Sequence, residues 1–225
     1  MRVLRRCGTV MRSVIVLLAS PAFAFVPPVL HSRSLDGLFG TKHFAAVKDF
    51  LHPSLVRALA LDVTSLRCRL TPELAAAEHG RVEWLVLQPE EPPRADTDDA
   101  LGVEARHCLL RFVGELQQHI EERTGVALDA HCELKYAYYP CGGSYQRHVD
   151  GMNMGSVHRE YSFLLYLNEG WSVSDGGHLR VFNHIEDGSY VDIAPAAGTL
   201  VVFKSDVVPQ CVQTSRFRLV HMPFV

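Results

Sequence analysis

The chain lacks several features that would settle its class at once. It has no C-x-x-C pair, no internal repeat, no low-complexity tract and no block of like charges. The absent cysteine pairs argue against a structural zinc site. Six cysteines are present, Cys7, Cys68, Cys108, Cys132, Cys141 and Cys211. Cys7 falls in a segment expected to be removed, and the odd remainder reads as free thiols rather than a disulfide framework. Lys plus Arg (22) against Asp plus Glu (25) leaves a net charge of −3, with no basic excess of the kind nucleic acid requires. The composition, 48% hydrophobic and 21% charged, is that of a globular protein. A length of 225 residues fits one domain plus extra sequence. None of this fixes an oligomeric state.

The extra sequence sits at the N-terminus. Arg2, Arg5, Arg6 and Arg12 precede the apolar run Val14-Ile15-Val16-Leu17-Leu18-Ala19, and Ala22-Phe23-Ala24 follows. Basic, apolar and small-residue regions in that order are the layout of a secretory signal over 1–24. The run is short for a membrane span and Pro21 interrupts it, so no stable span is expected after processing. The expected cut leaves Phe25 first. A signal followed by an aromatic residue resembles the two-part presequences of algae with secondary plastids. Residues 25–45 then read as a transit segment or linker, with entry to the secretory pathway as the competing destination.

Residues 46–130 read as a helical support region. Helical segments are expected from about His43 to Arg69, on the spacing of Phe44, Val47, Phe50 and Leu51. Arg81 to Leu87 reads as a strand, and Gln88 to Asp99, rich in Pro, Glu and Asp, as a loop. Leu101 to Arg123 is the clearest helix. Leu101, Cys108, Leu109, Phe112, Val113, Leu116 and Ile120 form one apolar stripe, and Gly125 ends it. Beyond Gly125 the pattern turns to short strands punctuated by glycine turns: Cys132–Tyr139, Tyr161–Leu167, His178–Phe182, Tyr190–Ile193, Thr199–Phe203, Val207–Val212 and Arg216–Phe224. Short strands packed by helices predict a mainly β fold with flanking helices, a jelly roll of the cupin kind over 131–225.

His148-Val149-Asp150 is the first chemical signal. Residues two apart in a strand face the same way, so an imidazole and a carboxylate converge. That is two thirds of the facial triad that holds non-haem iron(II) with open positions. The stretch Tyr139-Pro140-Cys141-Gly142-Gly143-Ser144-Tyr145-Gln146-Arg147-His148-Val149-Asp150 resembles the corresponding part of prolyl 4-hydroxylase-like dioxygenases, including the oxygen-sensing prolyl hydroxylases. Phe163-Leu164-Leu165-Tyr166-Leu167-Asn168-Glu169-Gly170-Trp171 and Asp175-Gly176-Gly177-His178-Leu179-Arg180-Val181-Phe182 extend the resemblance. Ile193-Ala194-Pro195 and Gly198 through Ser205-Asp206 carry it toward the C-terminus.

The resemblance implies a double-stranded β-helix and an oxygenase dependent on iron(II) and 2-oxoglutarate, acting on a proline or related side chain of a protein or peptide. Ascorbate is a candidate accessory cofactor. His148 and Asp150 match the family's metal ligands, Tyr166 the tyrosine that binds 2-oxoglutarate, and Tyr139 a tyrosine near the same pocket. Arg218, ahead of Leu219-Val220, matches the arginine that pairs with the far carboxylate of 2-oxoglutarate, for which a guanidinium fork is suited. Arg216 then reads as an exposed charge.

One position departs from the pattern. The family's second metal histidine follows a Ser-Asp-x-x-Pro run. Here the run is Ser205-Asp206-Val207-Val208-Pro209-Gln210, with Gln210 in the histidine's place. A carboxamide oxygen is a harder and weaker ligand than imidazole. His178, His221 and Cys211 are all expected to point away and do not replace it. Three readings stand: Gln210 binds weakly or leaves its position to water, the site is degenerate and the protein a binding module, or the third ligand comes from elsewhere.

Overall fold

A computed structural model describes residues 25, 35–72, 81–87, 99–129, 133–151, 158–182, 188–217 and 219–224. The expected signal segment and the loop after Leu87 lie outside the described residues. The helices are α1 (Asp36–Phe39), α2 (Pro53–Ser65) and α3 (Ala100–Thr124). The strands are β1 (Phe44–Val47), β2 (Thr71–Pro72), β3 (Glu83–Leu87), β4 (Leu134–Tyr139), β5 (Tyr145–His148), β6 (Tyr161–Tyr166), β7 (Leu179–Phe182), β8 (Tyr190–Ile193), β9 (Leu200–Lys204), β10 (Gln210–Val212) and β11 (Leu219–Phe224). They pair antiparallel into a large sheet, β1-β9-β6-β11-β4-β3-β2, and a small one, β5-β10-β7-β8.

Alternation along the large sheet builds two cores at once. Leu134 and Tyr136, Phe163 and Leu165, and Leu200 and Val202 face the helices, where they join Leu55, Leu59, Leu109 and Phe112. Ala137 and Tyr139, Leu164 and Tyr166, and Val201 and Phe203 face the small sheet, where they meet Leu179, Val181, Ile193 and Val212. Complete burial of a Leu or Phe contributes about 1.5–3 kcal/mol, so the helix-side core is a large stabilising term.

α3 forms as its apolar stripe predicts, burying Cys108, Leu109, Phe112, Val113, Leu116 and Ile120. Gly125, at φ 69°, takes the left-handed conformation that closes the helix, its N–H bonding to Glu121 O. α2 opens with Pro53 at its first position, and His52 Nδ1 accepts from the Ser54 amide. Between the two helices lies a buried charge. Asp62 accepts a 2.5 Å hydrogen bond from Tyr136 Oη on β4 and pairs with Arg106 Nε of α3 at 3.2 Å. Gly102 makes room for it, since a Cβ there would lie 2.2 Å from Asp62 Oδ1.

Two expectations are corrected. Phe44–Val47 is not the start of a helix but strand β1, paired in register from Phe44↔Phe203 to Val47↔Leu200. Four residues are too few for a helical period to be distinguished from an alternating one, and pairing with β9 decides. Residues 35–45 are not a linker either: Leu35 and Leu38 are fully buried in the helix-side core. The strand expected within Arg81 to Leu87 forms as β3, which pairs with β4 over its whole length and extends the large sheet. The remaining strands lie where alternation places them, to within a few residues, and two further strands form: β2, paired with β3, and β5, which carries the histidine of the H-x-D motif.

Among the described residues the small sheet is covered on one face only. Its outer face carries a bidentate Arg180–Asp192 pair, with Nε to Oδ1 and Nη2 to Oδ2 both at 2.8 Å. Arg147 sits over the Phe182 ring and Arg180 over Tyr190. Among the described residues Cys68, Cys108, Cys141 and Cys211 are free thiols. No helix among them is long and apolar enough to cross a membrane.

Candidate metal centre

Three side chains meet at the mouth between the sheets. β10 pairs with β5 so that Gln210 stands directly opposite His148. Directly opposed residues on one face place their Cβ atoms about 5 Å apart. β5 ends at His148, and Asp150 lies just beyond it. The resulting distances are 3.0 Å from His148 Nε2 to Asp150 Oδ1, 2.9 Å from Gln210 Nε2 to Asp150 Oδ1, and 3.4 Å from Gln210 Nε2 to His148 Nε2. Ligands about 2.1 Å from one cation in neighbouring octahedral positions are roughly 3 Å apart, so the triangle has the size of one face of a coordination octahedron.

The chemistry of the donors suits a cation. His148 Nδ1 lies 2.8 Å from the Gln146 carbonyl, which can only accept, so Nδ1 carries a proton. Nε2, 3.0 Å from Asp150 Oδ1, bonds the carboxylate only through a proton of its own, and a bound cation would take that proton's place. Locking the remote nitrogen to a carbonyl is a common support for metal-bound histidine. Tyr145 packs edge-on to the His148 ring at 4.6 Å and limits its rotation.

Burial alone pushes the Asp150 carboxyl up. His148, followed by the Ser162 and Gln210 hydrogen bonds, outweighs it and holds the group below the usual carboxylate range. Gln210 is 4% exposed, and its Oε1 is buried without a hydrogen-bond partner. A half-turn of the amide would direct that oxygen at Asp150 and His148. Among the described residues no three His, Cys, Asp or Glu side chains group to hold a metal, so Gln210 is the third member of the triangle.

The other expected residues fall into two groups. Tyr139 and Tyr166 are both buried in the core between the sheets. Desolvation pushes the Tyr166 hydroxyl far up, which keeps it a neutral hydrogen-bonding group. Arg218 and the side chain of His221 lie outside the described residues. Arg216 is exposed, as expected. Cys211 lies across from Arg180, on the outer face, and so does not approach the triangle.

In the sequence Asn168 is only one residue of the resembling stretch, and its role is visible in three dimensions alone. Its Nδ2 donates to Pro195 O at 2.8 Å and its Oδ1 accepts from Val220 N at 2.7 Å, which fixes the start of β11. A cleft of about 650 Å³ lined by Val63, Arg67, Tyr138, Trp171 and Phe217 lies outside the large sheet and contains none of the triangle's residues.

A double-stranded β-helix with an H-x-D pair at its mouth defines a class, the non-haem iron oxygenases. Residues 134–221 match the 2OG-Fe(II) oxygenase superfamily. The crystal structure of a Pseudomonas putida prolyl-4-hydroxylase is similar at 30% identity and TM-score 0.73, over 86% of this chain and 96% of that one. A Trichoplax adhaerens prolyl hydroxylase, solved with a hypoxia inducible factor peptide, shares the fold at 22% identity and TM-score 0.71, over 86% and 87% of the two chains. The viral collagen prolyl hydroxylase of Paramecium Bursaria Chlorella virus-1, solved with 2OG, does so at 14% and 0.56, over 81% and 94%. No curated protein sequence matches significantly. The chain belongs to the 2-oxoglutarate- and iron(II)-dependent oxygenase superfamily and is of the prolyl hydroxylase type.

Proposed function

We propose that this 2-oxoglutarate-dependent dioxygenase hydroxylates a peptidyl proline, with iron(II) held by His148, Asp150 and, through the Oε1 of a rotated amide, Gln210. The observation that carries the proposal is the triangle of donors 2.9–3.4 Å apart, with an orphaned acceptor on its third corner. Iron(II) and 2-oxoglutarate, when bound, would activate dioxygen, the oxidant, with 2-oxoglutarate giving up the second electron pair. The chain's own residues position and screen. His148 presents Nε2 because Gln146 O holds the proton on Nδ1. Asp150 stays ionised and contributes the charge. Tyr166 offers a neutral, desolvated hydroxyl to 2-oxoglutarate, Tyr139 lines the same interior, and Arg218 pairs with the distal carboxylate. Proline as substrate rests on the likeness to the Pseudomonas prolyl-4-hydroxylase. Residues 1–24 direct the chain to the secretory route, or onward to a secondary plastid.

The Gln210–Asp150 hydrogen bond favours one other reading, a binding module on the same fold. Anaerobic purification separates the two. Iron content and 2-oxoglutarate turnover are measured, with and without ascorbate, for wild type, His148→Ala and Gln210→His. Stoichiometric iron and turnover in wild type, lost in His148→Ala, are expected. Iron and turnover only in Gln210→His would establish the binding module instead.

A further inference from the structure

β10 is paired on both sides, with Gln210 opposite His148 on β5 and opposite Val181 on β7. Just before it, Pro209 O accepts from the Phe182 amide at 3.0 Å. The Gln210 backbone is thus fixed within the small sheet, and only its side-chain torsions are left to adjust. Its Oε1 and the Nε2 of a histidine are the same number of bonds from Cα, so a carboxamide here reaches as far as an imidazole would. The two differ in the atom they present. The amide nitrogen only donates N–H bonds and cannot take a cation. Oε1, buried without a hydrogen-bond partner, is therefore the one ligand atom that Gln210 has.

The donor set at the triangle is then one imidazole nitrogen, from His148, and two oxygens, from Asp150 and Gln210. Among the described residues no further His, Cys, Asp or Glu joins them. Divalent ions bind nitrogen and oxygen sites with affinities that rise from Mn(II) through Fe(II) to Co(II), and imidazole suits the later ions while carboxylate and carbonyl oxygens suit Mn(II). Exchanging one imidazole for a carbonyl oxygen therefore flattens the rise. The rotation that turns Oε1 inward breaks the 2.9 Å bond from Nε2 to Asp150. That cost is the same for every ion, so it lowers all the affinities and leaves their ratios alone.

We propose that Gln210 makes this a one-imidazole, oxygen-rich centre whose preference is shifted toward Mn(II), so that manganese competes with iron(II) for it. The inference rests on the reading of His148 and Asp150 as metal ligands. Occupancy then follows the ratio of the two ions available to the chain.

The test titrates the metal-depleted protein with Mn(II), read by the electron paramagnetic resonance of the free ion, and with Co(II), read by the absorption of the bound ion. Wild type and His148→Ala come first. No binding of either ion, or binding that does not depend on His148, would sink the metal-ligand reading, and the shifted preference with it. Given His148-dependent binding, Gln210→His should tighten Co(II) about tenfold more than Mn(II), the preference added by one imidazole. Gains equal to within about twofold would overturn the shift while leaving the metal site standing. Gln210→Ala, which leaves the corner to water, should weaken Mn(II) several-fold, and an unchanged affinity would overturn the carboxamide as third ligand. Pulsed electron paramagnetic resonance of bound Mn(II) counts imidazoles by their nitrogen couplings, with one expected in wild type and two in Gln210→His. A second imidazole in wild type would overturn the inference outright. That count needs no variant, so it decides the question should Gln210→His fail to fold.

Discussion

The two sheets divide the labour of the molecule unequally. The large sheet is buried on both faces, by helices on one side and by the small sheet on the other. The small sheet has one covered face, and its outer face relies on arginines laid over aromatic rings. Yet the small sheet carries His148 and Gln210 of the proposed metal centre. The large sheet lies behind them, with Tyr139 and Tyr166 buried in the core between the two sheets. Chemistry here sits on the sparser layer at a strand end, and the heavily packed layer holds it in place. Substitutions in the large sheet and its helices should therefore show up as stability, and those in the small sheet as metal affinity.

The largest effect should come from Asp62, where α2, α3 and β4 are tied together. Asp62→Ala removes a buried carboxylate and leaves Arg106 and Tyr136 with a partner missing. Breaking a buried pair from one side costs about 3–5 kcal/mol. Urea unfolding should show a loss of that size with little change in slope. Metal affinity per folded molecule should be unchanged. A large fall in affinity would break the division between the sheets.

Gln210→His probes the opposite side of the comparison. Imidazole is the better ligand for iron(II), so affinity should rise by roughly tenfold or more, about 1.4 kcal/mol at the lower bound. The metal-free protein should lose the Gln210–Asp150 hydrogen bond and with it about 1 kcal/mol. A competition titration against a chelator, paired with thermal unfolding of the metal-free protein, reads both. Affinity that does not rise would mean the third corner is not a ligand position.

How much of this was legible in the sequence follows from the range of the interactions. The alternating strands β4, β6, β7, β8 and β9 and the stripe of α3 are local patterns, and they were read close to their places. β5 carries Tyr145-Gln146-Arg147-His148, too polar to announce a strand, and only the motif marked it. β1 reads as helix in the sequence because its partner β9 lies far along the chain. The grouping of His148, Asp150 and Gln210 at one corner is legible in the sequence, since the three belong to motifs with fixed spacing, and the structure brings their side chains within 3.4 Å of one another. Asp62 was not, because an aspartate on an amphipathic helix reads as a surface charge until Tyr136 and Arg106 arrive from elsewhere.

The smallest effect belongs to the uncovered face. Arg180 and Asp192 are paired bidentately across β7 and β8, with about a quarter and a third of their side-chain surfaces exposed (26% and 33%). Hydrogen bonding from Arg180 holds the Asp192 carboxyl below its ordinary value of 3.8. A carboxyl depressed on folding stabilises the native state above its unfolded value and loses that contribution as pH falls through the lower folded one. Asp192→Asn should therefore cost less than about 1 kcal/mol at pH 7, because solvent screens a pair this exposed. The difference from wild type should shrink as pH drops below 3.8, and shrink again at neutral pH in about 1 M salt. Thermal unfolding of both proteins across pH and salt measures it. A loss of several kcal/mol, insensitive to salt, would mean that the outer face of the small sheet is as firmly built as the large sheet, and would remove the contrast between them.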